Sequence, residues 1–201
     1  MREDFIAAIK KHQKTFDLEL AAEKIERLAD YYELVQEHNP ILHLVAPTPS
    51  EEFATRHILE SLTLLEYLPK NARFADVGTG AGLPSIPCLI VREDLSAVLI
   101  ESKEKKTKFL EHAADKLSIA DRVKIVNRQF EEAEAADFSY VTCRALDKFS
   151  EKLPRLFKWA RGRTLLVFGG NSLRDALIKQ KVKFDENLMP LSEQRYLFIS
   201  K

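Results

Sequence analysis

Phe74-Ala75-Asp76-Val77-Gly78-Thr79-Gly80-Ala81-Gly82 is the stretch on which the fold of this chain turns. A short apolar run closes on three glycines spaced two apart, and Leu83-Pro84 leads into a second apolar segment. That order reads as a β-strand turning through a glycine loop into a helix. The next apolar run, Ala97-Val98-Leu99-Ile100, ends on an acid, Glu101. Glycines let a backbone come close to a ligand, and a carboxylate at the following strand end accepts hydrogen bonds from ribose hydroxyls. Loop and acid together suit a nucleotide-shaped cofactor; a glycine turn alone would serve as an ordinary connection.

Downstream, strands are expected near 73–77, 96–101, 122–126, 138–142, 163–168, 182–187 and 195–199. Helices are expected near 82–92, 103–117, 129–134, 147–160 and 171–180. This alternation predicts an α/β fold with a mostly parallel, Rossmann-like sheet covered on both faces. A short non-helical stretch, 188–194, joins the last two strands and predicts an antiparallel terminal strand. Ligands of such sheets bind beyond the C-terminal strand ends, where the strand order reverses. Asp76, Glu101, Asn127 and Arg144 stand at those ends, scattered in sequence and expected to converge.

Upstream, residues 3 to about 68 read as helical. Leu18, Ala21, Ile25, Leu28, Tyr32 and Val35 recur at three- and four-residue steps, the stripe of an amphipathic helix. Asn39-Pro40 is expected to break it. Ser50 is expected to cap the next helix, with Glu51 and Glu52 in its first turn. The following stripe, Phe53, Ile58, Leu62 and Leu65, ends near Leu68-Pro69. The expected organisation is a helical cap over 1–70 and a cofactor-binding core over 71–201, packed as one unit.

The dinucleotide fingerprint G-x-G-x-x-G places its third glycine for close helix packing. Here the spacing is G-x-G-x-G, followed by Leu83-Pro84 and preceded by Asp76. A ligand without phosphates needs no diphosphate cradle. S-adenosylmethionine (SAM) carries an ammonium, a sulfonium and an adenosine, so Asp76 suits its cationic part and Glu101 its ribose. A nicotinamide oxidoreductase on a similar sheet is an alternative that the glycine spacing disfavours.

The 201 residues, 45% of them hydrophobic, suit one domain with an extension. Lys and Arg total 31 against 31 Asp and Glu, so the chain lacks the overall basic footprint of most nucleic-acid binders. RNA contact would have to rest on local patches. One run, Lys148, Lys152, Arg155, Lys158, Arg161 and Arg163, interleaves Phe157 and Trp159. An aromatic ring there can stack on a base, while a solvated face over a buried Trp159 is the plainer reading. A second run is Lys103, Lys105, Lys106 and Lys108. Met1-Arg2-Glu3-Asp4 does not resemble a signal peptide, no apolar run matches a membrane span, and two cysteines make no disulfide framework. The expectation is a cytoplasmic monomer with no membrane partner and no metal site.

Asp76-Val77-Gly78-Thr79-Gly80-Ala81-Gly82-Leu83-Pro84 followed by Leu99-Ile100-Glu101-Ser102-Lys103 resembles the RsmG (GidB) family. Arg56-His57-Ile58-Leu59-Glu60-Ser61 is similar to that family's upstream helix, and Thr142-Cys143-Arg144-Ala145 to its segment after the fourth strand. The resemblance implies a SAM-dependent methyltransferase that modifies N7 of a guanine in 16S ribosomal RNA. It implies cofactor contacts at Gly78 and Leu83, at Phe130 and Glu131 beside adenine, at Glu101 on the ribose and at Arg144. It implies that Arg56 and His57 line the place where the target base docks. The chain departs from the family at His43, where an Asn is common, and at Gly169-Gly170, where a Lys-Gly pair is common. Losing that lysine removes a candidate phosphate contact.

Guanine N7 already exposes a lone pair, so methylation there needs no proton removed and no strong general base. The sequence agrees: it has no evident Ser-His-Asp or Cys-His constellation. Cys143 reads as a small buried side chain. Other functions remain open on the sequence alone: a SAM-dependent methyltransferase acting on a small molecule or protein, and a non-catalytic rRNA-binding protein.

Overall fold

The strand that the glycine loop terminates is the centre of a seven-stranded sheet. The structure, a computed structural model, describes residues 1–134, 137–144 and 149–200. Ala145, Lys148 and the expected helix start at 147 lie outside the described residues. The strands are β1 (Arg73–Val77), β2 (Ser96–Ile100), β3 (Val123–Val126), β4 (Tyr140–Arg144), β5 (Thr164–Gly169), β6 (Asp185–Leu188) and β7 (Tyr196–Ser200). Their order is β3-β2-β1-β4-β5-β7-β6. The first five run parallel, and β7, last in sequence, is antiparallel to both β5 and β6. The order reverses between β1 and β4, and Val77 pairs with both Ile100 and Cys143. The ends of β1, β2 and β4 are therefore level, so Gly78, Glu101 and Arg144 leave the sheet side by side.

The helices are α1 (Arg2–His12), α2 (Ala22–Leu42), α3 (Ser50–Glu52), α4 (Glu60–Leu62), α5 (Ser85–Val91), α6 (Glu104–Lys116), α7 (Phe149–Trp159) and α8 (Asn171–Lys179). Successive strand residues point to opposite faces, and two cores result. Phe74, Leu99, Leu166 and Phe168 face the N-terminal helices, α5 and α6. Ala75, Val77, Ile100, Val141 and Val167 face Leu153 and Leu156 of α7 and Leu173 and Leu177 of α8. In the first core Phe5 of α1 stacks on Tyr32 of α2 at 4.6 Å, and Phe53 meets Tyr32 edge-on at 5.0 Å.

Several local expectations are corrected. Asn39-Pro40 does not break the helix, because α2 continues to Leu42. Pro40 sits in the last turn, so the hydrogen bond it forfeits lies where the helix is ending. Asn39 makes the stop: its carbonyl accepts from the His43 amide and its side chain from the Val45 amide, both at 3.0 Å. His43 takes a left-handed φ of +47°. Ser50 does not cap with its side chain; Pro49 holds the cap position and the Ser50 hydroxyl pairs with that of Tyr32. The helix expected from 82 starts at Ser85, since Gly78, Gly80 and Gly82 all have positive φ. The helix expected over 129–134 is a single 3-10 turn, Phe130–Glu132.

Between α3 and α4 the chain makes a π turn, Phe53–Leu59, in which the Glu60 amide bonds back to the Thr55 carbonyl. The five-residue step from Phe53 to Ile58 in the apolar stripe is the spacing of that turn. Such turns recur at functional sites, and this one carries Arg56 and His57.

Candidate cofactor cleft

A cleft of about 440 Å³ opens at the switch point beyond the ends of β1, β2 and β4. Gly78, Gly80, Leu83, Glu101, Phe130, Arg144 and His57 line it. The strand register explains the convergence. The Gly78 amide donates to the Ile100 carbonyl at 2.9 Å, which carries the loop across the end of β2. Glu101 follows Ile100 directly, and its carboxylate is buried and fixed at both oxygens. Oε2 accepts from the Gly80 amide at 3.1 Å and Oε1 from the Lys103 amide at 2.9 Å. Each oxygen keeps a second lone pair for a ligand donor. Asn127, also expected at this edge, donates from its side chain to the Glu101 carbonyl.

Asp76, Gly82, Arg56 and Glu131 lie off the cleft wall. Asp76 shares its strand face with Phe74, away from the cleft, and is fully buried. Its Oδ2 accepts from the hydroxyls of Thr79 at 2.7 Å and Ser85 at 2.6 Å, while Oδ1 is buried with no partner. Burial pushes this carboxyl up to about 7, against the pull of those hydroxyls. Gly82 is a packing position: a Cβ there would meet Ile86 Cδ1 at 2.3 Å. Arg56 pairs with Glu52 on the same helical run, and Glu131 is exposed, with Arg155 3.7 Å away.

His57 lines the cleft, and its Nδ1 is buried without a hydrogen-bond partner. Burial, then the charges of Arg144, Arg56 and Arg195, hold its pKa down at about 3. It is a neutral imidazole at neutral pH. Phe130 is buried and meets Trp159 edge-on at 5.8 Å. The Trp159 indole donates to the Ala133 carbonyl at 2.9 Å, so this ring is structural and not a free base-stacking surface.

Several lining residues carried no local signal in the sequence. His43, Val45, Arg128 and Gln129 reach the cleft from the α2–α3 connection and from the loop after β3. Of the two basic runs, Lys103, Lys106 and Lys152 face the cleft, and Lys106 Nζ donates to the His43 carbonyl at 3.3 Å. Gly169 has no room for a side chain as it stands: a Cβ would lie 2.4 Å from Leu173 Cδ2. Among the described residues no group of His, Cys, Asp and Glu could hold a metal ion, and no helix is long and apolar enough to cross a membrane.

A parallel sheet with one reversed strand, and a cleft built on its glycine loop and following acid, define the Rossmann-like methyltransferase class. A SAM-dependent methyltransferase from Aquifex aeolicus shares the fold with a TM-score of 0.61 at 14% identity, covering 85% of this chain and 97% of that one. Residues 24–189 match the sequence model of the family described as rRNA small subunit methyltransferase G (GidB), and the chain belongs to that family. The ribosomal RNA small subunit methyltransferase G of Chromobacterium violaceum is 31% identical over 185 residues, covering 90% of this chain and 88% of its own. That of Halorhodospira halophila is 36% identical over 137 residues, 68% of this chain. In that match the chain spans 65% of the relative's length.

Proposed function

We propose that this chain transfers a methyl group from SAM to N7 of a guanine in 16S ribosomal RNA by direct in-line displacement. The observation that carries the reading is the Glu101 carboxylate, held at the cleft by the Gly80 and Lys103 amides with a lone pair left on each oxygen. That acceptor arrangement fits the two hydroxyl donors of a ribose diol. Phe130 supplies an apolar wall for adenine, and the positive φ of Gly78 and Gly80 keeps the loop backbone close to the ligand. Arg144 offers a buried guanidinium for the carboxylate of the methionine part. Asp76 acts from beneath, fixing the loop through Thr79 and Ser85.

When bound, SAM supplies an electrophilic methyl on a sulfonium. The chain's task is then to align N7 with that methyl and exclude water, since N7 has no proton to lose. His57 suits this role as a neutral group on the cleft wall: its imidazole can pair with the guanine edge, and its low pKa keeps a cation away from the base. Lys103, Lys106, Arg128 and Lys152 give the cleft a basic rim for the RNA backbone in a chain of zero net charge. We assign the 1–70 helices the part of a cap that brings His57 to the cleft for the RNA. A ribosomal substrate supports assigning the protein to the cytoplasm.

The test is transfer of labelled methyl from SAM to small ribosomal subunits lacking N7-methylguanine, with the product nucleoside identified by mass spectrometry. Labelled N7-methylguanine in 16S rRNA is the expected product. SAM binding without transfer would move the assignment to another acceptor, a protein or small molecule.

A further inference from the structure

Glu60 is a buried acid that the methyl transfer itself does not require. It opens α4, directly after the π turn, and is 2% exposed. Its Oε1 accepts from Arg195 Nε at 2.7 Å, and its Oε2 faces Arg144 Nη2 at 3.4 Å. Arg144 is otherwise held by neutral acceptors, the Arg56 carbonyl at 2.5 Å and the Ser61 hydroxyl at 3.2 Å. Arg195 precedes β7 and lines a separate groove with Arg56, on the other side of the acid from the cleft. Three guanidinium groups thus surround one carboxylate, and only Arg144 among them reaches the cofactor cleft. Remove the negative charge and Arg144, 14% exposed, is left beside two like charges with no other counter-ion among the described residues.

We propose that Glu60 is a positioning residue for the cofactor cleft: it holds the Arg144 guanidinium in place, and Arg195 in turn holds Glu60. The inference rests on the reading of the cleft as the SAM site. Its consequence is that the β6–β7 connection, which touches no cofactor, sets part of the cofactor affinity. Arg195 acts on that affinity through Glu60, and Glu60 acts through Arg144.

The test is a double-mutant cycle read as the Kd of SAM by calorimetry. The proteins are the wild type, Glu60→Gln, Arg195→Gln, Arg144→Gln and the two doubles that include Arg144→Gln. Glu60→Gln is expected to weaken SAM about tenfold and Arg195→Gln severalfold, and neither is expected to weaken it further once Arg144 is Gln. A merely structural acid would lower affinity by the same factor in both backgrounds, and that result overturns the proposal. So does unchanged affinity in Glu60→Gln beside normal wild-type binding. If the wild type itself binds no SAM, the reading of the cleft fails and this inference with it. Should Glu60→Gln not fold, Glu60→Asp completes the same cycle, since it keeps the charge but withdraws it by one methylene. A loss that disappears in the Arg144→Gln background supports the proposal, and an additive loss overturns it.

Discussion

The Tyr31 hydroxyl donates to the Ala81 carbonyl at 2.9 Å, in a fully buried contact that ties α2 to the middle of the glycine loop. Ala81 lies between two residues of positive φ, Gly80 at +58° and Gly82 at +91°. Backbone in that conformation is freely adopted by glycine and weakly held by local forces, so the tether fixes what the sequence there does not. Burial raises the phenol well above its usual range, and the donor is present at any working pH. Tyr31→Phe would strand a buried carbonyl, at about 1–3 kcal/mol. For a chain of this size that corresponds to a melting temperature lower by roughly 2–4 °C per kcal/mol. SAM affinity should fall with it. Tyr32→Phe is the control: its hydroxyl pairs with Ser50, off the loop, and should cost stability without SAM affinity. Calorimetric melting and SAM titration of both variants check this, and equal SAM affinity in the two would separate Tyr31 from the cleft.

The loop glycines should divide into two kinds. A Cβ on Gly82 meets Ile86 Cδ1 at 2.3 Å and Cγ1 at 2.6 Å, in a backbone already at φ +91°. Gly82→Ala should therefore destabilise the fold by several kcal/mol, through overpacking together with backbone strain. At Gly80 the nearest contact is the Gly78 carbonyl at 3.9 Å, so Gly80→Ala meets only the cost of a left-handed residue, about 1 kcal/mol. Its methyl group sits on the cleft wall. Gly80→Ala should fold and bind SAM at least tenfold more weakly, while Gly82→Ala should lose folded protein first. Circular dichroism melts paired with SAM titration distinguish the two, and a stable, SAM-binding Gly82→Ala would contradict the packing role.

The sheet was legible because its signals are local. Every strand except the polar edge strand β6, Asp185-Glu186-Asn187-Leu188, is a mainly apolar run bounded by a turn, and the loop and Glu101 follow two of them at once. The strand-end residues could also be read, since a parallel register brings the ends of β1, β2 and β4 level. Cleft residues contributed by other elements were not. His43 depends on where α2 stops, which Asn39 decides through two hydrogen bonds and not through Pro40. Arg128 follows a strand end but belongs to no motif. Asp76 illustrates the opposite limit. Its place before the glycines suggests a ligand contact, yet the two-residue period of β1 turns it to the face of Phe74, under the loop. Periodicity gave its face, and only packing shows which face holds the cleft.

Asp76 should leave a mark on stability against pH. Its carboxyl stands at about 7 in the folded chain, from a reference of 3.8, chiefly because it is buried. Between pH 4 and 7 the folded state keeps a proton that the unfolded chain gives up. The contribution of this group to stability therefore falls as pH rises through that window, and levels off above it. Asp76→Asn removes the titration. The variant should be more stable than the wild type at pH 8, by on the order of 2–4 kcal/mol, and close to it near pH 4. Denaturant unfolding at pH 4, 6 and 8 makes the comparison. Two curves that stay parallel from pH 4 to 8 would show that Asp76 is ionised in the folded state throughout.

His57 predicts the reverse slope and a flat rate. Its folded pKa of about 3 lies below the ordinary 6.5, because it is buried among Arg144, Arg56 and Arg195. The unfolded chain takes up a proton first as pH falls, so the stability this residue contributes is complete above pH 6.5 and is lost progressively toward pH 3. Across pH 6 to 9 the folded ring stays neutral. Methyl transfer in that range should then show no inflection from His57, as expected for a reaction that takes no proton from N7. His57→Ala leaves the guanine edge without a partner. The loss of one such hydrogen bond corresponds to about tenfold to a hundredfold in kcat/KM for the ribosomal subunit. The Kd for SAM should change little, since the loop and Glu101 are untouched. A pH–rate profile of the wild type and single-substrate kinetics of His57→Ala give both readouts. An inflection near pH 6.5 that vanishes in His57→Ala would show a protonating histidine, and with it a mechanism that does move a proton.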